Sequence, residues 1–420
     1  MRKLLAFFAV LAAVTTAWEQ DRFVISFWVD PVVNASQFDI EYARISAAGF
    51  TTLLGGFGAT TPATVREQVA ACARAGLACI PSSCETVSGP NPTGSCVGVA
   101  APVMGYQLFD EPQPSDFPGI AAWFSSLAQR APGALRFVNL LPNYANFPQP
   151  GGFGAYVDAF VRAVKPDILC FDHYPLFYEG SDVAPGNVSQ AGYLRNLAVF
   201  RSASLAAGIP FWNFFNSMPF NARPDVTEAQ LRWQVFSSLA YGAKGVLYFC
   251  YWSPAGASFA WGNALMTPRA PPGGGAPVYL PGPHYYQAAR VNQRLRAFGA
   301  FLLRATSTAV ASARGDGQGG GGPQPGAGPV AALQSSIAGG ANVPWSALLG
   351  AFSLPGGGVA VLVHNQDANY PVILHLTLSV APLGEVDPVG GTVVPAWSDV
   401  VGPGFHVALE AGDARLLVWA

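Results

Sequence analysis

Charge is scarce in this chain. Lys and Arg together number 22 and Asp and Glu 24 among 420 residues, and the net charge is −2. No basic cluster stands out, which argues against nucleic acid as a partner. Beyond residue 17 every apolar run is interrupted by charge, Gly or Pro, so no later segment reads as a membrane span. The sequence also lacks a Gly-x-Ser-x-Gly elbow, a phosphate loop and a dinucleotide fingerprint. Its 5 His are scattered and its 6 Cys are not spaced as zinc ligands. No metal and no cofactor is implied, and the oligomeric state is left open.

The first residues point to export. Arg2 and Lys3 precede an apolar stretch, Leu4 to Ala17, that is too short to cross a bilayer, with Thr15 and Ala17 as small residues before Trp18. That pattern reads as a signal peptide over 1–17, leaving a secreted protein with no membrane segment after cleavage. The cysteines fit an oxidising compartment. Cys84 and Cys96 flank a loop rich in Gly, Pro and Ser and are expected to form a disulfide. Cys72 and Cys79 would pair only if geometry permits, whereas Cys170 and Cys250 lie inside apolar strands and read as buried thiols. Asn34-Ala35-Ser36 and Asn187-Val188-Ser189 are glycosylation sequons at Asn34 and Asn187 in an exported chain.

Short apolar runs alternate with helical patterns from residue 22 to about 303. Eight runs read as strands: Arg22–Val29, Phe50–Gly55, Ala78–Ser82, Gly105–Phe109, Arg136–Leu141, Ile168–Tyr174, Pro210–Asn216 and Gly245–Trp252. Segments between them, such as Pro62–Ala75, Phe117–Ala131 and Ala191–Ala207, carry apolar residues at helical spacing. Strands apolar on both faces and separated by helices imply parallel pairing. Eight such units predict an α/β fold, a (β/α)8 TIM barrel over 18–304. A Gly- and Pro-rich segment at 305–330 reads as flexible. Four runs after it, Leu348–Leu354, Val359–Asn365, Val372–Leu378 and Ala414–Trp419, predict a small all-β, sandwich-like domain over 331–420.

In such barrels chemistry sits where strands end at their C-terminal side. Asp110 and Glu111 end the fourth run, and Asn143 and Tyr144 follow the fifth. Asp172, His173 and Tyr174 end the sixth, Asn213 and Asn216 lie in the seventh, and Tyr251 and Trp252 end the eighth. Acids gathered among aromatics suit glycoside chemistry. One carboxylic acid protonates the leaving oxygen while a second carboxylate attacks or activates water, and aromatic faces stack on sugar rings. Glu228 reads as a helix-start acid. Asp167 falls on the opposite, stability-bearing face. Trp28, Trp212 and Trp261 are read equally as packing or as sugar platform.

On these residues, 22–303 resembles the superfamily of retaining (β/α)8 glycoside hydrolases that includes cellulases and β-galactosidases. The resemblance implies that Glu111 is the acid/base and that Trp252 is the platform beneath the reacting sugar. Asp110 stands where the superfamily carries an Asn that contacts the sugar 2-hydroxyl. It departs at the seventh strand, where Asn213 and Asn216 stand in place of the nucleophilic Glu, and an amide cannot attack an anomeric carbon. Three readings follow. Asp172 supplies the second carboxylate, as base of an inverting pair some 6.5–9.5 Å apart. Otherwise another acid (Asp30, Glu85 or Glu179) or the substrate's own amide assists Glu111, or the barrel binds carbohydrate without cleaving it. Asp110, Asn143, His173, Tyr174, Asn213, Asn216, Tyr251 and Trp252 are the candidate carbohydrate contacts.

Overall fold

The computed structural model describes residues 18–419 except 87–88, 91–93, 146–150, 178–188, 255–263, 316–323, 336–343 and 402–403. The expected signal peptide, Glu179, Asn187 and Trp261 lie outside the described residues.

Eight parallel strands stand where the apolar runs predict them: β1 (Val24–Phe27), β2 (Thr52–Leu54), β3 (Ala78–Ile80), β4 (Gly105–Asp110), β5 (Leu135–Asn139), β6 (Leu169–Asp172), β7 (Phe211–Asn216) and β8 (Gly245–Phe249). One ladder runs β1–β8–β7–β6, and β2–β3 and β4–β5 form two more. Fewer bonds join these sets. Thr51 N–H donates to Ile25, Met104 and Gln107 N–H donate to Cys79 and Pro81, and Leu140 N–H donates to Cys170. β1, β7 and β6 are buried throughout, which is why their sequences show no polar alternation.

The crossovers carry α1 (Phe38–Ala47), α2 (Pro62–Arg74), α3 (Phe117–Arg130), α4 (Gly152–Val164), α5 (Gln190–Ala207), α6 (Glu228–Ala240) and, after β8, α7 (Pro283–Leu302). Their ends follow local chemistry. The Thr61 and Thr227 side chains accept from the Thr64 and Gln230 amides, satisfying N–H groups that the first helical turn leaves free. Gly76, Gly208 and Gly242, which follow α2, α5 and α6, all take positive φ. The strict (β/α)8 expectation needs one correction. Between β3 and β4 no helix forms among the described residues. A loop closed by the expected Cys84–Cys96 disulfide takes its place. Cys72, Cys79, Cys170 and Cys250 are free and buried.

The C-terminal sheets begin earlier than expected. Thr306–Gly315, placed by sequence in the flexible segment, is a ten-residue strand paired with Trp345–Ser353. Ala327 is buried as well. Small residues (Ser, Thr, Ala) pack in this strand where a Gly/Pro-rich linker was expected. Six strands form one sheet and four the other. Period-two alternation splits the side chains of the larger sheet. Leu349, Ala351, Val361 and Val363 face the smaller sheet, while Leu348, Phe352, Ala360 and Leu362 join the main core with Phe236 and Leu239 of α6. Gly350 lies against the Ala240 carbonyl so closely that a Cβ would stand 2.2 Å from that oxygen. Only glycine fits the contact.

Candidate active site

The ends of β4, β5 and β6 converge on a cavity of about 180 Å³ lined by Trp28, Asp110, Glu111, Asn139, Asp172, Tyr174, Phe214 and Phe249. Asn139 ends β5 and is buried. Its Nδ2 donates to Asp110 Oδ1 and to Asp172 Oδ1, both at 3.1 Å. Its own Oδ1 is buried and meets no hydrogen-bond donor. Glu111 extends the β4–β5 ladder through its N–H to the Asn139 carbonyl, 2.9 Å. It then turns at φ 50°, a left-handed conformation costing a non-glycine residue about 1–3 kcal/mol. Val29, between Trp28 and Asp30 at the end of β1, takes φ 58°, rarer still for a β-branched residue. Such strain concentrates at functional ends of scaffolds.

Three carboxyls therefore meet with one amide between them. Burial first, then the Glu111 and Asp110 charges, push Asp172 well above the ordinary carboxylate range against the Asn139 hydrogen bond. Burial raises Asp110, again opposed by Asn139. Burial and the Asp110 charge raise Glu111, while a hydrogen bond from Asp172 draws it back. Although Asp110 and Glu111 are exposed as residues, their carboxyls turn toward the cavity. The two carboxyls thus act on each other, the Glu111 charge and hydrogen bond raising Asp172 and the Asp172 hydrogen bond lowering Glu111.

The other sequence candidates divide sharply. Tyr174 lines the cavity. Asn143 is tied to α5, its N–H donating to Asn196 Oδ1 and its Nδ2 to the Gly192 carbonyl. His173 is buried beside Asn196, between the Tyr144 and Tyr193 rings. Asn213 donates to the Tyr193 hydroxyl and the Phe214 carbonyl, and the Asn216 N–H donates to Gln234 Oε1, both residues fully buried. Tyr251 stacks on Phe27 in the core. Trp252 stacks on Tyr279 at 3.9 Å and lines a separate depression with Val32 and Ile40. Asn143, His173, Asn213, Asn216, Tyr251 and Trp252 are thus absent from the cavity wall. Because β5 stops at Asn139 rather than Leu141, Asn143 lies beyond the strand end that the sequence assigned to it.

The alternative acids are engaged elsewhere. Glu85 accepts from Arg130 and from Trp123, and the Arg130 hydrogen bond holds its carboxyl low. Asp30, pushed up to about 6 by burial, accepts from the Phe57 and Gly58 amides and from Gln68. Asp167 pairs with Arg136, and Glu228 opens α6 and pairs with Arg232 and Arg290. Trp28 proves to be a cavity wall, whereas Trp212 is core. Sequence reasoning missed Asn139, Phe214 and Phe249. A polar Asn within the run Arg136–Leu141 was the available signal, since a buried amide needs partners. Asn34 is exposed, so its sequon is open to modification.

No protein-family model and no curated protein matches this sequence. Solved structures share its fold. α-Galactosidase I from Mortierella vinacea superposes with a TM-score of 0.50 at 10% identity, over 98% of this chain and 98% of that one. A Bacteroides fragilis NCTC 9343 protein described as an α-galactosidase gives 0.51 at 10% identity, over 95% and 79%. Against a β-galactosidase from the psychrophilic Marinomonas ef1 the TM-score is 0.49 at 12% identity, and 67% of this chain spans 62% of that one. The likeness establishes a mixed α/β architecture with parallel strands followed by an all-β region.

Proposed function

We propose that this chain is a secreted glycoside hydrolase. It cleaves O-glycosidic bonds of a poly- or oligosaccharide on a scaffold of the (β/α)8 type, a reading supported by the single backbone hydrogen bonds that link β1 to β2 and β5 to β6 and the two that link β3 to β4. The observation that carries the reading is the meeting of Glu111 and Asp172, both raised by burial, in one aromatic-walled cavity at the strand ends. Glycoside cleavage needs one carboxyl that is protonated near neutral pH and another that is ionised. Burial and mutual repulsion separate such a pair electrostatically. Glu111, at the mouth, is assigned as the general acid. Asp172 is the second carboxyl, and Asp110 keeps both raised. Trp28, Tyr174, Phe214 and Phe249 offer ring faces to the sugar, and the unpartnered Asn139 Oδ1 accepts from a hydroxyl.

One observation favours exchanged roles. Asp172 is the deeper of the two, and burial raises it well above the ordinary carboxylate range, which suits it to carry the proton. Kinetics on aryl glycosides separate the assignments. The variant lacking the acid keeps activity on good leaving groups and loses it on poor ones, whereas loss of the second carboxyl affects both. Glu111→Gln is expected to show the first pattern and Asp172→Asn the second. The reverse outcome exchanges the roles. Glycan binding without turnover by the wild type would overturn the hydrolase reading in favour of a carbohydrate-binding barrel.

A further inference from the structure

Beside the acidic cavity stands an arginine that no carboxylate among the described residues answers. Arg223 lies in the loop after β7, where Phe220 and Arg223 form an antiparallel bridge. Its guanidinium sits over the rings of Tyr174, Phe177 and Phe220 at 5.3, 4.7 and 4.6 Å. Its Nε donates to the Tyr174 carbonyl at 3.4 Å, and its charge acts on the nearby Tyr144 hydroxyl. None of the ion pairs among the described residues includes it. By contrast Arg130, Arg136, Arg232, Arg290, Arg294 and Arg415 all close on acids.

Three ring faces and a carbonyl fix the guanidinium in place and remove part of its water, which strengthens any charge it meets. A guanidinium has five N–H donors in a planar fork. The Tyr174 carbonyl takes Nε, leaving the other donors for an anion to accept from in bidentate fashion. The position is specific. The Tyr174 ring lines the catalytic cavity, and the Tyr144 hydroxyl feels Asp172, Glu111 and Arg223 together. Three carboxyls would repel an acidic sugar, and Arg223 is placed to offset that repulsion on the Tyr174 side.

We infer that Arg223 recognises an anionic substituent, a carboxylate or sulfate, on the sugar bound beside Tyr174. The natural substrate is then an acidic glycan. This rests on the hydrolase reading above for the identity of the bound molecule as a glycan. The experiment compares the wild type, Arg223→Gln and Arg223→Lys on neutral galacto-oligosaccharides, oligogalacturonides and sulfated galactan oligosaccharides. Wild-type kcat/KM is expected to favour an anionic set. Arg223→Gln should raise KM on that set at least tenfold more than on the neutral set, with kcat changed less than KM, and Arg223→Lys should restore part of the loss. Which anionic set responds tells carboxylate from sulfate. Equal losses on neutral and anionic sets, or a wild type indifferent to charge, would overturn the inference. If nothing is cleaved, calorimetry with Asp172→Asn gives the answer. Acidic oligosaccharide binding abolished by Arg223→Gln upholds Arg223 while the hydrolase reading falls, and absence of such binding overturns both.

Discussion

At the ends of β4 and β6 two carboxyls, Asp110 and Asp172, share Asn139 with Glu111 beside them, and none of the three closes on an arginine among the described residues. In the C-terminal sheets, Glu385 and Asp399 both close on Arg415, and Asp413 closes on Arg294. Both regions remove acids from water, yet only the second supplies the opposite charge. A buried pair with its partner in place fixes a geometry. A buried cluster without one holds protons at a pH where isolated carboxyls have lost them. The first arrangement costs stability and is expected where chemistry needs it. The second is expected where two sheets must keep their register against a barrel.

The largest effect should come from the unpaired region. Asp172→Asn should fold and should lower turnover on the cleaved glycan roughly 10²–10⁴-fold, the usual cost of losing a catalytic carboxyl. Steady-state kinetics beside a circular-dichroism melt checks this, and a lesser loss would align these acids with the structural ones. The paired region should respond in the opposite sense. Arg415→Ala strands two acids and should cost about 3–5 kcal/mol of stability, as breaking a buried pair does. Activity per folded molecule should be unchanged, read by urea titration and by active-fraction assay.

Asp30 sharpens the comparison through pH. Its pKa rises from 3.8 in the unfolded chain to about 6 when folded, so between those values the folded state binds more protons. Stability should therefore fall as pH rises through that window, by about 3 kcal/mol from this group. Chemical denaturation at pH 4 and pH 7 tests it, with Asp30→Asn expected to flatten the dependence. Glu85, held low by Arg130, acts in the other direction and loses its contribution as pH falls. The smallest effect belongs to Asp110→Asn. Removing its charge should lower the pKa of both Glu111 and Asp172, moving the basic limb of kcat/KM toward acid by about one pH unit. An unmoved limb would separate Asp110 from the Glu111–Asp172 pair.

Much of this architecture was legible from local pattern. All eight strands lie within three residues of the apolar runs that announced them, because a strand buried on both faces leaves no room for polar alternation. Gly76, Gly208 and Gly242 marked helix ends because positive φ is cheap only for glycine. Glu111 and Asp172 were legible as strand-end acids. The strand Thr306–Gly315 was not, since Ser, Thr and Ala give little hydrophobic signal and adjoin a Gly-rich stretch. Trp252 was misplaced because an aromatic after β8 can turn toward the barrel axis or away from it, and packing against Tyr279 decides which.

Composition and periodicity by themselves determined the parallel α/β part, the all-β part, the pairing of Cys84 with Cys96, and the strand ends that hold acids. These are properties of neighbours in the chain, where backbone geometry and burial translate directly into residue spacing. Tertiary structure decided which acids touch. Asp110, Asn139 and Asp172 are about 30 residues apart in turn, and only the sideways order of β4, β5 and β6 brings them within 3.1 Å contacts. It also decided that Asn213 and Asn216 bond inward while Arg223, in no ion pair among the described residues, lies over the Tyr174 ring. Electrostatics depends on distance through space, which sequence spacing does not encode.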